Sequence, residues 1–235
     1  MRPENKTLLL FDLDGTLVDS APDLAGAINQ MLLALNLTTF TQTTIRSWVG
    51  NGAQTLVERA LTHAFARNPT LHQSLDDALN KPRVDQALTL FLNYYQQCLC
   101  LESKLYDGVK QTLLTLKQHN FRLAIITNKP LQFIAPIIEG FGLEDLFELQ
   151  LGGDSLVERK PSPLPLIYAS KALNTSVDQC LMIGDSKNDI LAAKAADMES
   201  VGLTYGYNYG EDIGLYQPNW RLEKFAGLLP LLIEQ

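Results

Sequence analysis

A chain of 235 residues, 46% hydrophobic and 19% charged, has the composition of a globular protein and the length to bury a sizeable core, which excludes disordered and fibrous architectures. Its net charge of −7 gives no general attraction for nucleic acid or for an anionic membrane surface, so an anionic substrate needs cations placed locally. No stretch reads as a signal or spanning segment, and Cys98, Cys100 and Cys180 have neither metal-type nor redox spacing, so a cytoplasmic protein with three reduced, buried thiols is expected.

The uninterrupted apolar run Thr7 to Phe11 has the pattern of a parallel strand buried on both faces, and it leads directly into Asp12-Leu13-Asp14-Gly15-Thr16. From Ala21 to Cys100 the pattern turns helical. Leu24, Ile28, Met31, Leu32 and Leu35 follow a Ser20-x-x-Asp23 start signal, Leu56 to Phe65 supplies a middle helix, and Val84, Leu88, Phe91 and Tyr95 mark a third. The stretch Arg67 to Pro82, with Asn68-Pro69 and Lys81-Pro82, reads as a loop.

Beyond it, Val109 to His119 has helical spacing, Arg122 to Ile126 is a second buried strand ending at Thr127, and Cys180 to Ile183 is a third ending at Gly184 and Asp185. A short alanine-rich helix, Asp189 to Ala196, follows the polar turn Ser186-Lys187-Asn188. Alternating strand and helix predict an α/β fold with a parallel sheet, and in such sheets the site lies at the C-terminal ends of the strands. Residues 1–20 and 101–235 are expected to form this core, and residues 21–100 an inserted helical cap.

The polar residues at those strand ends carry a specific chemistry. Asp12 and Asp14, two positions apart, can direct both carboxylates to one side of the sheet edge, with Gly15 permitting a sharp turn and Thr16 fixing it. Phosphate monoesters hydrolyse so slowly unaided that enzymes accelerate them up to ~10²¹-fold, so a nucleophile, an acid and charge neutralisation are all required. Asp12 can attack phosphorus while Asp14 protonates the departing alkoxide and later takes a proton from water. Asp185 adds a third carboxylate, and hard oxygen ligands without Cys or His describe Mg²⁺ rather than zinc. Asp189 is placed in the outer shell of that metal.

Thr127 and Asn128 offer a hydroxyl and backbone N–H groups for phosphoryl oxygens, and Lys160 is a point cation suited to phosphate and to offsetting Asp12. Arg46, in Arg46-Ser47-Trp48-Val49-Gly50-Asn51-Gly52, is a candidate for a substrate carboxylate, and Lys129 has a weaker claim of the same kind. Tyr205, Tyr207 and Tyr209 read as a packed surface loop. His63, His72 and His119 are scattered without companion ligands, which argues against histidine catalysis.

Taken together, Asp12-Leu13-Asp14-Gly15-Thr16, Thr127-Asn128, Lys160 and Gly184-Asp185-Ser186-x-x-Asp189 resemble the four motifs of the haloacid dehalogenase superfamily. The resemblance implies a Rossmann-like core with a cap inserted after the first motif, Asp12 as nucleophile, Asp14 as acid and base, and Mg²⁺ held by Asp12, the Asp14 carbonyl and Asp185. Through Leu17-Val18-Asp19-Ser20-Ala21-Pro22, Trp48-Val49-Gly50-Asn51-Gly52-Ala53, Thr127-Asn128-Lys129-Pro130 and residues 201–210 the chain is further similar to the bacterial phosphoglycolate phosphatases, which implies 2-phosphoglycolate as the small phosphorylated substrate. Ser162 stands where the family often has His or Asp, and Asp197 where a glycine is common.

Other readings share part of this pattern. A phospho-accepting signalling domain gathers acidic residues, a hydroxyl and a lysine at a sheet edge, but has no use for the acid and base that Asp14 supplies. A phosphatase or phosphomutase acting on another small sugar phosphate uses the same aspartate pair, whereas attack at carbon by a dehalogenase requires neither the second aspartate nor the metal.

Overall fold

The computed structural model describes residues 3–67 and 79–233. The chain divides into two compact units, Met1–Asp19 with Lys104–Gln235, and Ser20–Ser103.

The first unit is built on β1 (Leu8–Phe11), β4 (Arg122–Ile126), β5 (Leu149–Leu151), β6 (Cys180–Gly184), β7 (Glu199–Leu203) and β8 (Trp220–Leu222), while β2 (Val18–Asp19) and β3 (Lys104–Leu105) form a separate antiparallel pair. The six strands run in the order β5-β4-β1-β6-β7-β8, every neighbour parallel. This is the α/β parallel sheet that the alternation predicts and the Rossmann-like core that the resemblance implies. All four residues of β1 are inaccessible to solvent. Leu8 and Leu10 pack with Ala124, Ile126, Cys180 and Met182 against Leu166, Ala169, Ala192 and Ala193 on one face. Their alternates face the other way, where Phe11 meets Phe147 and Phe225 at 6.5 and 5.8 Å between ring centroids.

The helices of this unit are α5 (Val109–Gln118), α6 (Ile134–Gly140), α7 (Leu164–Ala172), α8 (Lys187–Ala195) and α9 (Leu228–Leu232). Helix α8 begins two residues earlier than expected. Ser186 and Asp189 form a reciprocal capping box, so Lys187 and Asn188 belong to its first turn rather than to a loop. The strands β5, β7 and β8 are not evident in sequence because they are short or interrupted: β7 carries Glu199, Ser200 and Gly202 among its five residues, and β8 has Arg221 at its centre.

The second unit is helical, with α1 (Ala21–Ala34), α2 (Gln42–Arg46), α3 (Ala53–Arg67) and α4 (Lys81–Gln97), and α1 packs on the other three. Three of these match the helical spacings; α2, of five residues, was not expected. The start of α1 departs from the expected capping box: Ser20 makes no side-chain cap bond. Asp23 instead accepts the N–H groups of Glu102 at 2.8 Å and Ser103 at 3.2 Å, and the Ser103 hydroxyl, joining the two ends of the unit. The expected Arg67 to Pro82 loop is shortened from both sides. Arg67 ends α3, and Lys81-Pro82 opens α4 behind the N-cap Asn80, because proline is suited to the first helical turn, where its missing N–H costs nothing. Asn68-Pro69 and His72 lie outside the described residues. Cys180 is buried as expected, but Cys98 and Cys100 are only half-buried. Among the described residues no helix is long and apolar enough to cross a membrane.

Candidate active site

The strand order places β1 between β4 and β6, with Phe11 in register with Ile125 on one side and Ile183 on the other. The residues that follow these three strands therefore emerge side by side, at the edge where open α/β sheets bind ligands. Asp12 follows β1, Thr127 follows β4, and Asp185 follows β6. The Asp12 N–H donates to Ile183 O at 3.0 Å and the Thr127 N–H to Leu151 O at 2.9 Å, so both side chains leave from backbone still held by the sheet.

Lys160 is the central cation. Its ammonium lies 3.0 Å from Asp12 Oδ1 and 2.6 Å from Asp189 Oδ1, donates to the Ile126 carbonyl, and is 2% exposed. Burial works against that charge, but Asp12 and Asp189 outweigh it and hold the lysine pKa above its ordinary value. Asn128 contributes from behind, its Nδ2 donating to the Lys160 carbonyl at 2.9 Å. Asp14 is paired differently: both its oxygens lie 2.9 Å from Lys129 Nζ.

Asp185 is almost fully buried and held from two sides. The Thr16 hydroxyl donates to Oδ1 at 2.7 Å and the Tyr207 N–H to Oδ2. Two glycines make room for it: a Cβ on Gly15, whose φ is +89°, would lie 2.3 Å from Asp185 Oδ2, and one on Gly206 would lie 2.2 Å from it. Asp189 has both oxygens committed, Oδ1 to Lys160 and Oδ2 to the Ser186 N–H and hydroxyl at 3.0 Å each.

The oxygens of Asp12, Asp185 and Asp189 approach within 4.8 Å of one another, all buried. Three carboxylates share one ammonium, and the imbalance shows in the acidity of Asp12 and Asp185. Burial, opposed by Lys160 and reinforced by Asp189 and Asp14, pushes the Asp12 carboxyl up to about 6. Burial together with the charges of Asp12 and Asp189 holds Asp185 well above the ordinary carboxylate range. Asp12 Oδ1, though close to Lys160, accepts no aligned hydrogen bond, and each Asp185 oxygen accepts one where a carboxylate oxygen has room for two. An unfilled acceptor, spare lone pairs and excess negative charge fit a hard divalent cation held by Asp12 and Asp185, with Asp189 bound to Lys160 beside it.

The sequence-derived set Asp12, Asp14, Thr127, Asn128, Lys160, Asp185 and Asp189 thus gathers in the first unit, together with Lys129. Arg46 belongs to the second unit, half-buried in the last turn of α2. The loop after it is packed, with Arg59 donating to the Trp48 carbonyl and to Asn51 Oδ1, and Trp48 lying 4.6 Å from the His63 ring.

Four contributors escape the sequence reading. Thr16 serves Asp185 rather than its own turn, and Ser186 serves Asp189. The tyrosine segment is packed as expected but also supports the site: Tyr207 is buried, its N–H on Asp185 and its hydroxyl on Asp19, while the Tyr205 hydroxyl donates to the Thr16 carbonyl at 2.8 Å. The available signals were the Ser186-x-x-Asp189 spacing of a capping box and Gly206 between two tyrosines, a close-approach residue inside a packed segment.

Residues 6–197 match the model of the haloacid dehalogenase-like hydrolase family. A phosphoglycolate phosphatase of Colwellia psychrerythraea is 59% identical over 229 residues, covering 97% of this chain and 98% of the relative. One of Psychrobacter arcticus is 43% identical over 98% of this chain and 97% of its own. The crystal structure of a protein described as a predicted phosphoglycolate phosphatase from Haemophilus somnus superposes with a TM-score of 0.91 at 40% identity, covering 97% of this chain and 99% of that one. With strand-end carboxylates, buried lysine and near-full-length relatives in agreement, the chain belongs to the haloacid dehalogenase-like hydrolases.

Proposed function

We propose that this enzyme is an Mg²⁺-dependent phosphatase that hydrolyses 2-phosphoglycolate to glycolate and phosphate through a phosphoryl group carried on Asp12. The observation that carries this reading is the contact of Asp12 with the buried Lys160 ammonium at 3.0 Å, beside Asp185 and at the C-terminal edge of the sheet.

In the first half-reaction a new bond forms between an Asp12 oxygen and phosphorus, and the bond from phosphorus to the glycolate oxygen breaks. Asp14 delivers the proton that the leaving alkoxide takes. Lys160 and the Thr127 hydroxyl lie where negative charge develops on the phosphoryl oxygens. In the second half-reaction Asp14 removes a proton from water as its oxygen attacks phosphorus, releasing Asp12 and inorganic phosphate. Mg²⁺, held by Asp12 and Asp185 and by the Asp14 carbonyl that the family resemblance implies, supplies charge neutralisation to the phosphoryl oxygens.

The choice of phosphoglycolate is supported by the names of the relatives at 59% and 43% identity. Residues 21–100, which fall within the second unit between β2 and β3, are read as the helical cap. The test is phosphate release from a panel of small esters, phosphoglycolate and several sugar phosphates among them, with Mg²⁺ and with chelator. Metal-dependent preference for phosphoglycolate is the expected result. Preference for another ester would keep the chemistry and discard the substrate, and no release from any ester would discard both.

A further inference from the structure

Resting on the phosphatase reading, we propose that Lys129 is a positioning residue that fixes the Asp14 carboxylate for proton transfer. Its ammonium is 2.9 Å from each Asp14 oxygen, and its side chain is 2% exposed against 13% for that of Asp14. An ammonium centred on both oxygens is a point contact that holds the carboxylate head in place from its two acceptors at once, so losing it frees the Asp14 side chain to move away. The grip is itself anchored. The Lys129 N–H donates to Thr127 Oγ1 at 3.3 Å, and its carbonyl accepts the Gly153 N–H at 2.8 Å.

One loop after β4 therefore places the Thr127 hydroxyl beside Asp12 and the Lys129 ammonium on Asp14. Proton transfer requires heavy-atom reach of about 2.6–3.2 Å, and a misplacement of about 1 Å can cost on the order of 10²-fold in rate. Lys129 acts through Asp14, whereas Lys160 acts on Asp12.

The test is a double-mutant cycle of Lys129→Met and Asp14→Asn with p-nitrophenyl phosphate as substrate. Nitrophenolate departs without an acid, so the first half-reaction needs no help from Asp14, whereas the attack of water still needs its base. Lys129→Met should therefore release a burst of about one nitrophenolate per enzyme, then turn over with kcat lower on the order of 10²-fold and kcat/KM retained. The double variant should be no slower than Asp14→Asn alone.

A fall in kcat/KM with unchanged kcat would mean that Lys129 binds substrate directly, and a loss in the double variant equal to the product of the single losses would mean that the two residues act independently. Either overturns the proposal. If circular dichroism shows Lys129→Met to be unfolded, Lys129→Gln carries the same cycle under the same criteria. Wild-type protein inactive on every ester with Mg²⁺ would sink the phosphatase reading itself, while an active wild type with independent losses would sink only the role of Lys129.

Discussion

Lys160 and Asp189 form a buried ion pair, 2.6 Å between Nζ and Oδ1, at the point where Asp189 also closes the capping box of α8. The pair ties the loop before α7 to the helix that follows β6, and through Lys160 it reaches Asp12.

Removing the lysine leaves Asp12, Asp185 and Asp189 buried together without a cation. Breaking a buried pair in this way costs about 3–5 kcal/mol. Lys160→Met should lose stability of that order in urea unfolding with chelator present, and lose most of its turnover. The deficit should be smaller at pH 5 than at pH 8, because carboxylates can then neutralise by taking protons. A deficit independent of pH would contradict the assignment of Lys160 as the charge partner of this cluster.

The acidity of the cluster predicts how metal-free protein responds to pH. Asp12 moves from an ordinary 3.8 to about 6 in the folded state, chiefly by burial, and Asp185 moves the same way. Between those values the folded chain binds more protons than the unfolded one, so the stabilising contribution is full below about 3.8 and is lost as pH rises through about 6. Metal-free protein should accordingly lose stability from pH 5 to pH 7, other groups aside. Mg²⁺ favours the ionised carboxylates, so its binding at pH 6 should release protons. Calorimetric titration in two buffers of different ionisation enthalpy reads this directly, and identical heats in both would rule the coupling out.

Thr16 donates to Asp185 Oδ1 at 2.7 Å across 169 residues of sequence. Hydrogen bonds of this kind orient metal ligands, and removing one typically weakens metal affinity about 10–100-fold. Thr16→Val should show that loss for Mg²⁺ by isothermal titration while its thermal unfolding with chelator stays near that of the parent. Unchanged affinity would reduce Thr16 to the local turn that the sequence alone suggests.

The contrast between Thr16 and Asp12 explains what the chain reveals before it folds. Asp12, Thr127 and Asp185 each end an apolar run, so hydrophobic patterning locates them and parallel pairing brings them together. Lys160 ends no strand and is recognisable only by its motif. Thr16 and Tyr207 act through polar atoms that meet Asp185 only after the sheet is assembled, and the Tyr207 contribution is a backbone N–H, which no residue type announces, whereas Ser186 meets Asp189 locally in the capping box. The same limit applies to Asp23: its position three residues after Ser20 imitates a helix cap, whereas its partners, Glu102 and Ser103, lie at the far end of the second unit. Strand β7 was hidden for a different reason, since its serine and glycine break the apolar run by which buried strands are found.

Asp197 offers a stability test away from the site. It follows the C-cap Ala196 of α8 with φ +53°, and the Met198 N–H reaches back to the Ala193 carbonyl at 2.9 Å, the long closing bond of a Schellman turn. A side chain at this left-handed position costs about 1 kcal/mol, less for Asp than for most residues, and glycine offsets part of the relief through its freer unfolded chain. Asp197→Gly should therefore stabilise the protein by roughly 0.5 kcal/mol. Because Asp197 lies past the C-terminal end of α8, outside the set proposed to carry the chemistry, kcat and KM should not change. Destabilisation in thermal unfolding would mean that the aspartate side chain contributes a hydrogen bond or charge at the helix end that outweighs the backbone strain.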